Sequence, residues 1–120
     1  MLLQFQTGYD GTFTQGDNVV LQLQATDDNG NPQNITGATF SSEILAQNSP
    51  TPGAVTFGNS QHAITNATFG MFTLTLAQTD TSNVGYGFNK DIITAVTIGG
   101  NQTTYRGMGI LNVYPATPLQ

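Results

Sequence analysis

The sequence predicts an all-β domain on three observations. Apolar residues recur at every second position in short runs, turn residues interrupt those runs at close intervals, and only 8% of the 120 residues are charged. Alternation with period two puts one face of a strand in a core and the other in solvent. Soluble domains usually carry about 25% charged residues. Thr, Asn, Gln and Gly therefore build the solvent face here, and a neutral polar surface of that kind points to assembly more than to chemistry.

Residues 1–15 are expected to form an N-terminal arm and first edge strand, residues 16–115 the β domain, and residues 116–120 a C-terminal tail. Leu2-Leu3-Gln4-Phe5 is too apolar for a free tail and is expected to pair with an open sheet edge, its own or a neighbour's. Val19, Leu21, Leu23 and Ala25 then share one strand face, with Val20, Gln22 and Gln24 on the other. That strand ends at Asp27-Asp28-Asn29-Gly30-Asn31-Pro32, which reads as a tight hairpin turn because Asn-Gly tolerates positive φ and Pro32 cannot donate to a ladder.

Ala38, Phe40, Ser42, Ile44 and Ala46 form the next alternating face, with Glu43 opposite, up to the Pro-rich loop Asn48-Ser49-Pro50-Thr51-Pro52-Gly53. Short strands are expected from Ala54 to Phe57, from Gln61 to Thr65 and from Met71 to Leu76, the last with Phe72, Leu74 and Leu76 on one side. The stretch Ala77 to Asn83 predicts one helical turn, with Thr79 as cap and Asp80 facing the positive helix end. Tyr86, Phe88, Ile92, Val96 and Ile98 line one side of a long strand, which Gly99-Gly100-Asn101 turns back into a strand from Thr103 to Tyr114. The last strand carries Leu111 and Val113 on one side and Met108 and Ile110 on the other, so it is expected to be covered on both faces. Seven to eight short strands without a long helix predict an immunoglobulin-like β-sandwich with short N- and C-terminal arms; a small barrel is the alternative.

Composition excludes several functions. A net charge of −5, with two basic side chains against seven acidic ones, offers a phosphate backbone almost nothing, so no nucleic acid is expected. The absence of cysteine removes disulfides, thiolate metal sites and cysteine nucleophiles. No basic n-region precedes an apolar run at the N-terminus and no stretch approaches about 18 apolar residues, which predicts cytoplasmic synthesis and no membrane. The sequons at Asn34, Asn66 and Asn101 are read as chance in a chain rich in Asn and Thr.

No constellation predicts catalysis or a cofactor. His62, the one histidine, has no acid beside it and reads as a strand-face residue, and Gly58-Asn59-Ser60 is an ordinary loop, not a nucleophile elbow. Asp27, Asn29, Gly30 and Asn31 resemble the start of a calcium loop. The twelfth position is Ala38, however, and Pro32 interrupts the geometry, so a turn is the better reading. Asp10, Asp17, Glu43, Asp80 and Asp91 are mostly turn acids and make poor glycosidase pairs. Asp91 and Arg106 are expected to face each other across the final hairpin as an ion pair. Tyr9, Tyr86, Tyr105 and Tyr114 offer stacking surfaces for a sugar, although core or hairpin roles are favoured.

The order of these turns and strands resembles a family of small bacteriophage virion proteins, related in pattern to the N-terminal domain of baseplate upper proteins. The residues that carry the resemblance are Gly16-Asp17 before the first main strand, Asp27-Asp28-Asn29-Gly30-Asn31-Pro32, and the step Ile35-Thr36-Gly37. Gly70-Met71-Phe72-Thr73-Leu74-Thr75-Leu76, Phe88-Asn89-Lys90-Asp91-Ile92 and Gly109-Ile110-Leu111-Asn112-Val113 follow, with Arg106 where the family often has a basic residue. Lys90 departs from the family's aromatic, and Tyr86 supplies a ring nearby.

The resemblance implies a non-enzymatic virion structural protein on the outer surface of the phage particle. A capsid decoration or cement protein that binds the phage major capsid protein as a homo-oligomer, with a trimer as one geometry, is the leading expectation. The alternatives are a neck, tail or baseplate adaptor, and a host-surface carbohydrate-binding module. Candidate partner contacts are Leu2, Leu3 and Phe5 of the arm, together with Val20, Leu45, Met71 and Ile93, apolar residues that the alternation assigns to solvent faces.

Overall fold

The computed structural model describes residues 1–6, 11–45 and 55–116, without the side chains of Val55, Met108 and Gly109. The protein is all-β, and the described residues form nine strands in one hydrogen-bonded sheet. In chain order these are β1 (Leu2–Phe5), β2 (Thr12–Thr14), β3 (Val19–Thr26), β4 (Thr39–Leu45), β5 (Val55–Phe57), β6 (His62–Asn66), β7 (Met71–Leu76), β8 (Gly87–Ile98) and β9 (Asn101–Tyr114). A 3-10 turn spans Asn59–Gln61, and a short helix, α1 (Gln78–Asn83), joins β7 to β8.

The strand order is β5-β4-β8-β9-β1-β3-β7-β6, with β2 also on β9. Pairing is antiparallel except where β1 and β2 run parallel to β9. The contact of β1 with β9 is the single pair Leu2↔Arg106, whereas β1 matches β3 over its whole length, from Leu2↔Thr26 to Phe5↔Leu23. One narrow seam therefore joins the group β5-β4-β8-β9 to the group β1-β3-β7-β6. Inward residues of both groups meet in one cluster that includes Leu21, Leu23, Phe40, Phe72, Leu74, Ile92, Val96 and Leu111.

Several elements follow directly from the pattern. On β3 the residues Leu21, Leu23 and Ala25 are buried while Val20 and Gln22 are exposed, and on β7 Phe72, Leu74 and Leu76 are buried. The β8–β9 hairpin closes on Gly99 and Gly100, with φ of 58° and 83°, the consecutive positive φ values of a type I′ turn. Central β9 has β8 on one side and β1 and β2 on the other; its Leu111 and Val113 are buried, and Ile110 packs partly buried against the core.

Other elements differ from expectation. The first strand is not at an edge: β1 lies inside the strand order, and Leu3 is 1% exposed among the core residues. Leu3 pairs with Ala25, whose parity faces the core, so strand pairing with β3 draws it inward. The turn after β3 does not join two strands of the sheet as a hairpin, because β4 pairs with β5 and β8 and the chain crosses between groups; it closes locally through the bridge Thr26↔Pro32 and the backbone bonds Asp27 N–H to Asn31 O and Gly30 N–H to Asp27 O. The Asp27 carboxylate accepts hydrogen bonds from the backbone N–H groups of Asn29 (2.8 Å) and Asn31 (2.9 Å). These bonds, with a third from the Asn31 side chain, hold its pKa below the usual 3.8.

The expected helical turn is α1, but its N-cap is Ala77, not Thr79, and Asp80 Oδ2 accepts the Ala77 N–H at 2.9 Å. Tyr86 and Phe88 do not share the inward side of β8. Between the pairs Gly87↔Val113 and Lys90↔Leu111, β8 has one residue more than β9, and Asn89 takes a φ of 56°. An extra residue swaps faces in a strand of period two, so both rings turn to solvent. Ile98, expected on that inward side, is also exposed beside the Gly99-Gly100 turn. Tyr9, Asp10, Ala46, Ala54, the Pro-rich loop and the last four residues of the tail lie outside the described residues.

Candidate functional surfaces and the polar core

The alternation sorts the candidate partner residues onto different surfaces. Leu2, Val20 and Met71 share the outer face of β1-β3-β7-β6, where register sets Val20 against Thr75 and Met71 against Gln24. Between them stand Gln22 and Thr73, so the apolar groups are interspersed with neutral polar ones. Ile93 lies on the outer face of β5-β4-β8-β9, in a row Thr56, Glu43, Ile93, Arg106, Leu2 that crosses five strands. Phe5 is partly buried and packs on the core cluster.

Leu3 and Leu45 are buried and present no contact surface. Leu45 is paired with Asp91 at the end of β4, on the outer side by parity, yet both are enclosed. The Arg106 guanidinium reaches across this end of the sheet to Asp91 Oδ2 at 3.7 Å. Asp91 is fully buried and Arg106 is half exposed, so the ion pair is one-sided rather than a surface pair.

Inside the molecule, three strands bring together a polar chain that no local motif announced. Ser42 Oγ lies 2.7 Å from His62 Nε2 and 2.8 Å from Thr94 Oγ1, and His62 Nδ1 lies 2.8 Å from the Gly58 carbonyl. The carbonyl only accepts, so Nδ1 carries the proton of the neutral ring. Nε2 then accepts from the Ser42 hydroxyl, and Ser42 in turn accepts from Thr94. Burial holds the imidazole pKa below its ordinary 6.5, against a smaller opposite pull from the Gly58 carbonyl. The geometry pairs a serine with a base, but Ser42 and Thr94 have no exposed surface, so the two hydroxyls face inward and the chain ties β4, β6 and β8 together, with His62 partly exposed at its outer end. Among the described residues, no three acidic or imidazole side chains cluster as a metal would need.

The sequence reading offered Tyr86 and Tyr114 as stacking surfaces but not Phe88, which lies with them at the open end of the β8–β9 hairpin. Tyr86, Phe88 and Tyr114 are 65%, 64% and 44% exposed. The rings of Phe88 and Tyr114 meet edge to face with centroids 5.5 Å apart. Asn112 Oδ1 accepts the Asn89 N–H at 3.0 Å and fixes the bulge that presents them. Tyr105, also a stacking candidate, is buried. No helix among the described residues is long and apolar enough to cross a membrane. No protein-family model matches the chain, and no curated protein matches it.

Proposed function

We propose that this chain is an immunoglobulin-like β-sandwich serving as a bacteriophage virion structural protein, a decoration protein that binds the assembled capsid in many copies. The strand order supports the sandwich reading. The groups β1-β3-β7-β6 and β5-β4-β8-β9 correspond to strands A-B-E-D and C′-C-F-G of that architecture, and β2 corresponds to a second segment of strand A running parallel to G.

The observation that carries the functional reading is the chemistry of the outer faces. Gln4, Gln22, Gln24, Thr73 and Thr75 cover one group and Thr39, Ser41, Thr97, Gln102 and Thr104 the other. Of the two basic side chains, Lys90 is buried and Arg106 is tied to Asp91. Such faces cost little to desolvate and carry apolar residues that a protein neighbour can cover. Weak contacts of this kind gain strength by repetition over a shell.

Co-sedimentation of the purified protein with capsids that lack it tests the proposal. Saturable binding is expected, weakened by Val20→Asp and Leu2→Asp, which change exposed residues. The alternative site of action in a neck, tail or baseplate predicts binding to purified tails and none to capsids.

A further inference from the structure

We infer that the end of the β8–β9 hairpin is a saccharide-binding site, in which Tyr86, Phe88 and Tyr114 stack on the faces of neutral sugar rings. Three features of the structure carry this.

The rings are displayed by a built device. Asn89 is the one non-glycine residue with positive φ among the described residues, and the bulge it makes is held by the Asn112 side chain. Without the extra residue, Phe88 and Tyr86 would take the inward phase of Ile92 and Val96. Bulges of this sort re-aim side chains and concentrate beside functional sites. The backbone beneath is also fastened, since the Gln15 N–H donates to the Tyr114 carbonyl at 3.0 Å and Gln15 Nε2 donates to the Val84 carbonyl at 2.6 Å.

The Phe88–Tyr114 contact occupies the face of one ring and the edge of the other. The ring that contributes its edge keeps both flat faces clear of that contact, and Tyr86 precedes Gly87, whose partner Val113 precedes Tyr114, so a third exposed aromatic residue stands at the same end of the hairpin. A pyranose has a face of C–H groups that lies flat on such a surface, while Tyr adds a hydroxyl at the ring's wet end.

The exposed polar side chains next to the rings in sequence are neutral, while the buried Lys90 ammonium lies close to Gly85. Residues 81–90 and 112–116 include one charged side chain, Lys90, and it is buried. Asn83 and Asn89 are exposed beside the rings in sequence. Carboxamides both donate and accept, which matches sugar hydroxyls.

The test is an NMR titration of the intact protein with maltohexaose, cellohexaose, xylohexaose and chitohexaose. At least one is expected to shift resonances of residues 85–89 and 112–115 saturably. Phe88→Ala and Tyr86→Ala are expected to weaken that binding about tenfold or more, whereas Val20→Ser leaves it unchanged. Thermal melts confirm that the exposed-ring variants fold. The proposal is overturned if wild type shows no saturable shift at about 10 mM saccharide, if the shifts map elsewhere, or if Phe88→Ala binds like wild type. Loss of capsid co-sedimentation in Phe88→Ala, with wild type indifferent to every saccharide, would make the patch a protein contact and overturn it equally. Failure of capsid binding alone leaves the titration as it stands, so the two proposals fail separately.

Discussion

Phe40 and Phe72 stack with ring centroids 4.7 Å apart and planes 21° from parallel, although their strands, β4 and β7, share no ladder pairing. The contact crosses between the two strand groups, whose ladder connection is the seam at Leu2↔Arg106. His62 continues the stack on Phe40, at 5.2 Å. Side-chain packing therefore carries much of the cohesion between groups. Phe40→Ala and Phe72→Ala should each cost about 3–5 kcal/mol in urea unfolding. The double variant should lose less than the sum, by about 0.5–1.5 kcal/mol; strict additivity would show that the stack is incidental.

Stability should fall with pH in two steps. The folded pKa of His62 lies below 6.5, so the unfolded chain takes up the proton first as pH drops through 6.5. The contribution of the neutral ring is complete above that value and diminishes until the folded-state pKa is passed. Protonation gives Nε2 a hydrogen where it had accepted from Ser42. Asp27, also lowered in the folded state, contributes above 3.8 and loses its contribution as pH falls below it. Urea midpoints measured from pH ~8 to ~3 should show both steps, and His62→Gln should abolish the upper one alone.

Two glycines with similar backbone angles should respond differently to alanine. Gly70 has φ of 69°, and a Cβ there would stand 2.6 Å from the carbonyl oxygens of Ala25 and Gln33. Gly30 has φ of 86° but open space around it. Gly30→Ala should cost about 1–2 kcal/mol, the left-handed penalty alone. Gly70→Ala should cost more than about 2 kcal/mol, because backbone must also move. Equal costs in thermal unfolding would contradict the close approach.

Removing the guanidinium above buried Asp91 should be felt even though the pair is long and half solvated. Arg106→Gln is expected to destabilise by about 1–3 kcal/mol. Added salt should diminish the difference only slightly, because Asp91 is enclosed. A variant as stable as wild type would show that the other interactions of Asp91 suffice.

Much of the fold was legible where side chains alternate without interruption. Leu21, Leu23 and Ala25, or Phe72, Leu74 and Leu76, declare their strands and their inward faces, and Gly99-Gly100 declares its turn. What escaped depends on insertions and on distant pairing. Asn89 looks like any strand residue in the sequence, yet its left-handed conformation reverses Tyr86 and Phe88. Leu3 reads as part of an apolar arm until pairing with Ala25 puts it in the core. Ser42, His62 and Thr94 come from three strands and carry no shared motif. Exposed aromatic residues gave the one usable signal of the candidate site, and period-two reasoning had assigned two of its rings to the interior.

The first strand should behave as part of the core. Leu3→Ala should cost about 2–5 kcal/mol, as at a core site. Deletion of residues 1–6 should unfold the domain, because β3 and β9 both lose a neighbour. A deletion variant with wild-type stability would restore the arm reading.

The most direct measurement of the proposed virion role is quantitative mass spectrometry of phage particles purified from lysed cultures of a strain that carries the gene for this chain. The account predicts that its peptides co-purify with intact particles at a fixed, high ratio to the major capsid protein and persist after tails are removed. Peptides confined to the lysate would contradict a structural role in the virion, and peptides lost with the tails would contradict the capsid location.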